Sequence, residues 1–418
     1  AFAPPWTDSR CLPGQLGGRF SDPPSWPPGA LFFSVLGPIP AMSQTIFLPA
    51  AALAGLVWHA LKQRAGRPEP VEAEPEAAPD PARIALEDVS DHTLVTIEMG
   101  YGLVPLVDDR KGSPLVTRVT GVRKQLSKMF GFVVPQLRIR DSLDMPPYDY
   151  RIALGGVPLG GGTVQPDRLL AIDTGEASAS HTLRGEATRD PSFGCPALWI
   201  DPGQRDQAVA EGFLTVDPGT VIATHLNQLL SPRPHDLLGP DEVAALVEDM
   251  KGHSAGLVET VTPQPLSLAA LTRLLRALLE DGIALSHPLP IFAALSRAVQ
   301  QSQDHDTLVD MVRADLGAML VGRVCPPGGT LPVITLDGGL ESAILSGLRD
   351  PVSGQPMIEP DLSSRIAARV RSLIDAREPG AIAPAFVVQP PTRRAIASLL
   401  RLRAPECLVL SIAELPAT

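Results

Sequence analysis

The sequence predicts an α+β body of several subdomains, carried behind one N-terminal transmembrane helix and an acidic, proline-rich linker. Three observations carry that prediction. Residues 23–61 contain no Asp, Glu, Lys or Arg. Residues 68–82 hold five prolines and five carboxylates. From about Ile84 onward, alternating runs and helical-period runs follow one another, and 44% hydrophobic residues suffice for a substantial core.

The chain begins with alanine, as a fragment or a processed product would. Residues 1–36 are rich in proline and glycine and have no period, so they are left unassigned and expected to be disordered. Residues 37–61 form the candidate transmembrane segment. Within it, "IFLPAAALAGLVWHAL" (46–61) is apolar apart from His59, and extending it back to Ala41 gives about 20 residues, enough to cross a bilayer. Lys62, Arg64 and Arg67 follow at once, which places everything after them in the cytoplasm. A signal peptide would carry its positive charges before the apolar run; a buried soluble helix is the other alternative. Residues 62–93 are the linker. Prolines fix φ and remove donors and the like charges repel, so an extended tether is expected.

In the soluble part, residues 93–100 alternate as a strand. Residues 113–131 carry Leu115, Val119, Val122, Leu126 and Met129 or Phe130 on one helical face, with Arg118, Arg123, Lys124 and Lys128 off it. Residues 132–141 and 148–156 read as strands, and "GGVPLGGGT" marks a hairpin. Residues 168–173 and 196–201 are strand-like, 202–212 a short helix and 213–217 a strand, which together suggest a small β-β-α-β insertion. The helix at 218–230 has Asp217 as its N-cap and Pro218 at its first position. From 240 to 322 successive amphipathic helices follow, and the rest reads β-α-α-β-α-β. The body thus has four parts: mixed, mixed, helical, mixed.

Several function classes find no support. A net charge of -11 argues against a nucleic-acid surface. Cys11, Cys195, Cys325 and Cys407 are far apart, so neither a zinc ribbon nor a disulfide framework is expected. There is no phosphate loop, no metal cluster and no nucleophile elbow, and no cofactor is expected. The acidic "DHD" at 304–306 reads as a helix cap. His225 has no visible catalytic partner and reads as a satisfied structural histidine. "RIRD" (138–141) with Asp144 reads as an edge strand and a turn rather than a catalytic pair. The protein is therefore not expected to be an enzyme.

Four stretches resemble the FlhA family, the export-gate protein of the flagellar type III secretion apparatus. They are "MGYGLVPLVD" (99–108), "GVRKQLSKMFGFVVPQLRIRDSLDMPPYDYRI" (121–152), "DPSFGCPALWID" (190–201) and "VDPGTVIATHLNQLL" (216–230). The resemblance runs from near residue 37 to the C-terminus. It implies a four-subdomain cytoplasmic part: 94–169 with 218–237, 170–217 inserted, 238–317 helical, and 318–418. It also implies a homo-oligomeric, nonameric ring at the bacterial inner membrane. That ring would dock export chaperones (FlgN-, FliS- and FliT-like) with their late flagellar substrates, beside other export-gate membrane proteins and the export ATPase complex. Where the family has several membrane helices, this chain has one convincing span. The export gate of a virulence type III secretion system is the alternative, and an enzyme hidden in a cleft is a second.

The resemblance further places a chaperone-docking dimple at Asp190, Phe193, Thr224, Val216 and Val221, and a hinge at Gly100. The residues themselves fit that placement. Thr224 points roughly 160–200° away from Ile222 and Leu226 on its helix, so it should be exposed, beside Val221. An exposed Phe193 can form the other wall, with Asp190 as a rim charge. Otherwise Phe193 plugs the join between the first two subdomains. Gly100 is expected to serve a hinge through φ values closed to other residues.

Overall fold

The computed structural model describes residues 93–418, apart from 109–113, 178–181, 327, 352–353, 379–380, 402 and 417–418. The unassigned stretch 1–36, the membrane segment 37–61 and nearly all of the linker 62–93 lie outside the described residues. Among the described residues no helix is long and apolar enough to cross a membrane.

Residues 92–418 form one compact unit built on three sheets. In the first sheet, β1 (Val95–Met99) lies between β2 (Leu137–Asp141), parallel to it, and β3 (Asp149–Leu154), antiparallel. The strand β4 (Val157–Thr163) closes the order β2-β1-β3-β4 as a hairpin with β3. Every residue of β1 is buried, as expected for a central strand covered on both sides. The helix α1 (Pro114–Phe130) supplies one cover, through Leu115, Val119, Leu126 and Phe130. Strand β2 is the edge strand expected of "RIRD". Its Arg140 and Arg151 of β3 both pair with Glu98 between them. The Arg140 hydrogen bond, ahead of the opposing effect of burial, holds the Glu98 carboxyl below its ordinary range.

The second sheet is antiparallel, in the order β6-β7-β5-β8. It comprises β5 (Leu169–Ile172), β6 (Gly185–Arg189), β7 (Pro196–Ile200) and β8 (Leu214–Val216), with α2 (Arg205–Ala210) before the last strand. The insertion is thus β-β-β-α-β, one strand more than its pattern suggests. Strand β6, "GEATR", is a largely exposed edge with no apolar alternation to betray it. The run 132–141 is strand only from Leu137; Pro135, which lacks an N–H, lies in the irregular segment before it.

The chain then returns to the first sheet as α3 (Pro218–Leu230). Asp217 caps it, accepting from the Thr220 amide at 3.0 Å. Five further helices follow α4 (Pro234–Leu237): α5 (Pro240–Glu259), α6 (Leu268–Glu280), α7 (Pro288–Ala298), α8 (His305–Asp315) and α9 (Gly317–Val324). Helix α5 runs through Gly252 and Gly256, with a break at Ser254 between them. Asp304 caps α8 as the "DHD" reading expects. The last module alternates β9 (Val333–Thr335), α10 (Gly338–Ser346), α11 (Pro360–Asp375), β10 (Ala385–Val388), α12 (Pro390–Arg401) and β11 (Val409–Ser411). Its sheet is parallel, in the order β11-β10-β9, the β-α-α-β-α-β read from the sequence.

A buried ionic cluster joins the helical layer to this last module. Arg313 of α8 donates to both Glu414 oxygens at 2.9 and 3.0 Å. Its Nη1 lies 3.2 Å from the Asp281 carboxylate, outside hydrogen-bonding geometry. Arg393 of α12 contacts Asp281 at 2.8 Å and Asp310 at 3.2 Å. Burial works against the Arg393 charge, but Asp281, Glu414 and Asp310 more than offset it, so the guanidinium stays charged.

Gly100 is placed differently from the hinge expectation. Its φ of -67 and ψ of 156 are open to any residue. What the position demands is space: a Cβ there would sit 2.0 Å from the Pro146 carbonyl oxygen and 2.6 Å from that of Pro147. Gly100→Cys therefore has to push the 146–147 backbone off the end of β1. It is expected to cost about 1–3 kcal/mol, read as a lower melting temperature. An unchanged melt would mean that this turn yields freely.

Candidate docking site

The loop 190–195 joins β6 to β7 and is closed by its own first residue. The Asp190 amide donates to the Cys195 carbonyl at 2.9 Å, and the Gly194 amide donates to the Asp190 carbonyl at 2.8 Å. The Asp190 side chain turns back to accept from the Phe193 amide at 2.8 Å. A carboxylate bonding a nearby backbone amide is a common way to fix a tight turn. Gly194, at φ 73, takes the left-handed conformation that lets the chain re-enter β7. The result ejects the Phe193 side chain into solvent, where the residue is 65% exposed.

Asp190 itself is only 3% exposed. It is therefore not the rim charge expected of it but a buried structural anion at the root of the loop. Its charge acts on two buried groups of the first sheet and its cover, Tyr150 of β3 and His225 of α3. The Tyr150 hydroxyl and His225 Nδ1 are 2.7 Å apart, with the rings edge to face at 5.8 Å. Burial, helped by Asp190, pushes the Tyr150 hydroxyl far up, so it keeps its proton. Burial lowers His225 against the pull of Asp190, so the imidazole is neutral. One neutral hydrogen bond therefore joins the phenol oxygen to Nδ1. His225 is the satisfied structural histidine expected from sequence. Ser192 Oγ, though nearby in the loop, is buried without a hydrogen-bond partner, so it forms no hydroxyl–imidazole pair with His225.

The glycines of β4 explain how three elements meet so closely. A Cβ on Gly160 would lie 3.1 Å from His225 Nε2 and 3.0 Å from Leu229 Cδ1. One on Gly162 would lie 3.3 Å from Pro191 Cβ and 3.4 Å from the Tyr150 hydroxyl. Residues two apart share one face of a strand. That face is bare backbone, on which α3, Tyr150 and the loop are seated. These glycines thus lie beyond the hairpin turn that their spacing suggests.

Thr224 precedes His225 and is half-buried. It shares the open stripe of α3 with Thr220 and Gln228, each about one helical turn away along the same face. Val221, placed beside it by expectation, is instead 2% exposed. Helix α3 packs on α1 and also touches β5, so Val221 joins Ile222, Leu226 and Leu230 in the main core. Val216 is half-buried in β8, paired with Leu170 and packed against the same core. The structure thus bonds Asp190 to Phe193 and sets their loop near His225 of α3, the residue after Thr224, while Val221 and Val216 serve the interior. Tyr150 and the β4 glycines are the residues that sequence reasoning missed. The only signal for them was the density of glycine in "LGGGT".

A separate cleft of about 700 Å³ lies over the ionic cluster, lined among others by Asp281, Arg393, Arg394 and Arg401. Its charges pair with one another and with their neighbours: Arg394 with Asp310 and Arg401 with Glu280.

Residues 14–418 match the FHIPEP family, from further upstream than the motifs alone suggested. The chain is 33% identical to the flagellar biosynthesis protein FlhA of Yersinia enterocolitica over 398 residues, 95% of this chain and 57% of that protein. It is 32% identical to FlhA of Salmonella typhimurium, over 98% of this chain and 58% of that protein. These matches bear out the resemblance carried by the four motifs. The chain spans little more than half the length of either relative. In fold it is similar to the Chlamydia pneumoniae CdsV protein, with a TM-score of 0.62 at 21% identity, covering 80% of this chain and 96% of that one. It is also similar to nonameric SctV-C of EPEC, with a TM-score of 0.57 at 17% identity, covering 78% and 96%.

Proposed function

The chain belongs to the FHIPEP family, and we propose that it acts in the flagellar type III protein export gate, its body docking export chaperones with their late substrates. The observation that carries this reading is the exposed Phe193 on a loop fixed by a buried aspartate. An exposed aromatic whose backbone is already fixed in a closed loop needs less ordering on binding and suits an anchor role. The half-buried hydroxyl of Thr224 on the neighbouring helix supplies a polar edge. Similarity to FlhA favours a flagellar role. The fold likeness to CdsV and SctV-C keeps the virulence export gate as a second reading.

The same proposal extends to the assembly. It assigns the inner membrane to residues 37–61, the cytoplasm to the body, and the division 94–169 with 218–237, 170–217, 238–317 and 318–418 to four subdomains. The order of three sheets and one helical layer supports that division. SctV-C is a nonamer, which supports a ring. CdsV has been seen in complex with CdsO, which supports a further protein partner besides the chaperones, and the export ATPase complex is proposed for that place. The body is proposed as a non-catalytic platform.

The test is a titration of the chain with purified FlgN-, FliS- or FliT-like chaperones carrying their substrates. Thr224→Met places a larger apolar side chain on the open stripe of α3 and is expected to weaken docking about tenfold or more by filling the space beside Phe193. Equal affinity for parent and variant would remove Thr224 from the site. Binding of virulence-type chaperones but not flagellar ones would favour the second reading.

A further inference from the structure

We infer that Tyr150, His225 and Gly162 are positioning residues for the docking loop: they lie behind it and set the pose in which Phe193 is offered to a partner. The inference rests on the docking reading above. Its geometry begins at Gly162, where the absence of a side chain lets Pro191 of the loop and the Tyr150 ring close over the same point of β4. Tyr150 is in turn locked by its 2.7 Å hydrogen bond to His225. His225 is seated on Gly160 in the same way, and Thr224 precedes it on α3. The loop, the helix and the strand therefore share one support. At its edge lies Asp190, buried, with its carboxylate committed to the Phe193 amide. Both walls of the proposed dimple, Phe193 and Thr224, are referred to this support rather than to each other. A change in the Tyr150–His225 bond moves the two walls relative to one another without touching either.

The experiment uses the full chain in detergent, with Tyr150→Phe, His225→Leu, His225→Asn and Gly162→Ala. Hydrogen–deuterium exchange is followed at residues 189–195 and across the first sheet, together with the melting temperature and the affinity for a purified chaperone–substrate complex. Tyr150→Phe removes only the hydroxyl. It is expected to speed exchange at 189–195 about tenfold, with the rest of the first sheet unchanged, and to weaken docking several-fold. His225→Leu should do the same, whereas His225→Asn, whose amide can still accept from the Tyr150 hydroxyl, should return both readings toward the parent. Gly162→Ala reaches the loop by a separate route, through Pro191, and should also speed its exchange. Unchanged exchange at 189–195 in both Tyr150→Phe and Gly162→Ala overturns the inference, as does faster exchange spread evenly over the first sheet. Faster loop exchange with unaltered affinity leaves the positioning role standing and removes the docking role of Phe193 instead.

Discussion

Phe193→Ala is expected to weaken docking of a chaperone–substrate complex by about tenfold or more, with almost no change in the melting temperature of the chain. Both halves follow from its position. Removing a buried phenylalanine costs about 3–5 kcal/mol, because the cavity left behind is lined by atoms that lose their contacts. Phe292, 0% exposed in α7, is such a residue and should show that loss when truncated. Phe193 is 65% exposed, and its truncation empties nothing. Its loss is felt only where a partner would have covered it. Asp190→Ala is expected to behave differently from a rim charge. It frees the Phe193 amide and leaves the loop without its internal acceptor, so it should weaken docking nearly as much as Phe193→Ala and show little dependence on salt. A parent affinity that falls with added salt, with that dependence lost in Asp190→Ala, would restore the rim reading.

The second large effect belongs to the junction between the helical layer and the last module. Glu414→Ala leaves Arg313 and Arg393 buried together with Asp281 as their only closely shared anion. Removing one partner of a buried ion pair typically costs about 3–5 kcal/mol, because a charge is stranded away from water. The melting temperature should fall by many degrees, and the C-terminal β11 should be the first segment to exchange. Leu348→Ala, at an exposed position, serves as the reference and should change neither. A cost below about 1 kcal/mol for Glu414→Ala would mean that apolar contacts rather than charges hold the last sheet in place.

Features set by neighbouring residues were legible in the sequence. Asp217 and Asp304 were readable as caps because a cap is a bond to an amide three residues on. The stripe of α1 and the alternation of the last module were readable because apolar period mirrors the buried face. What depends on several elements meeting was not. Val221 is buried because α1 covers a side of α3 that a single apolar stripe leaves open. Asp190 is buried by the meeting of its loop with the first sheet and α3. The Arg313–Glu414 pair spans 101 residues, with no local pattern to announce it. Gly100 illustrates a subtler limit. A glycine in sequence signals a special backbone or a close neighbour, and only the fold, with the 146–147 carbonyls against it, shows which. Strand β6 was hidden because a two-sided polar edge has no period to read.

The central claim is that a partner settles on Phe193. A photoreactive benzophenone amino acid placed at position 193 keeps an aromatic there and reports contact directly. Irradiating the chain with a purified chaperone–substrate complex should give a covalent chain–chaperone product from position 193. The same group at the exposed position of Leu348 should give none. Cross-linking of equal yield from both positions, or none from 193 under conditions where the complex binds, would contradict the account.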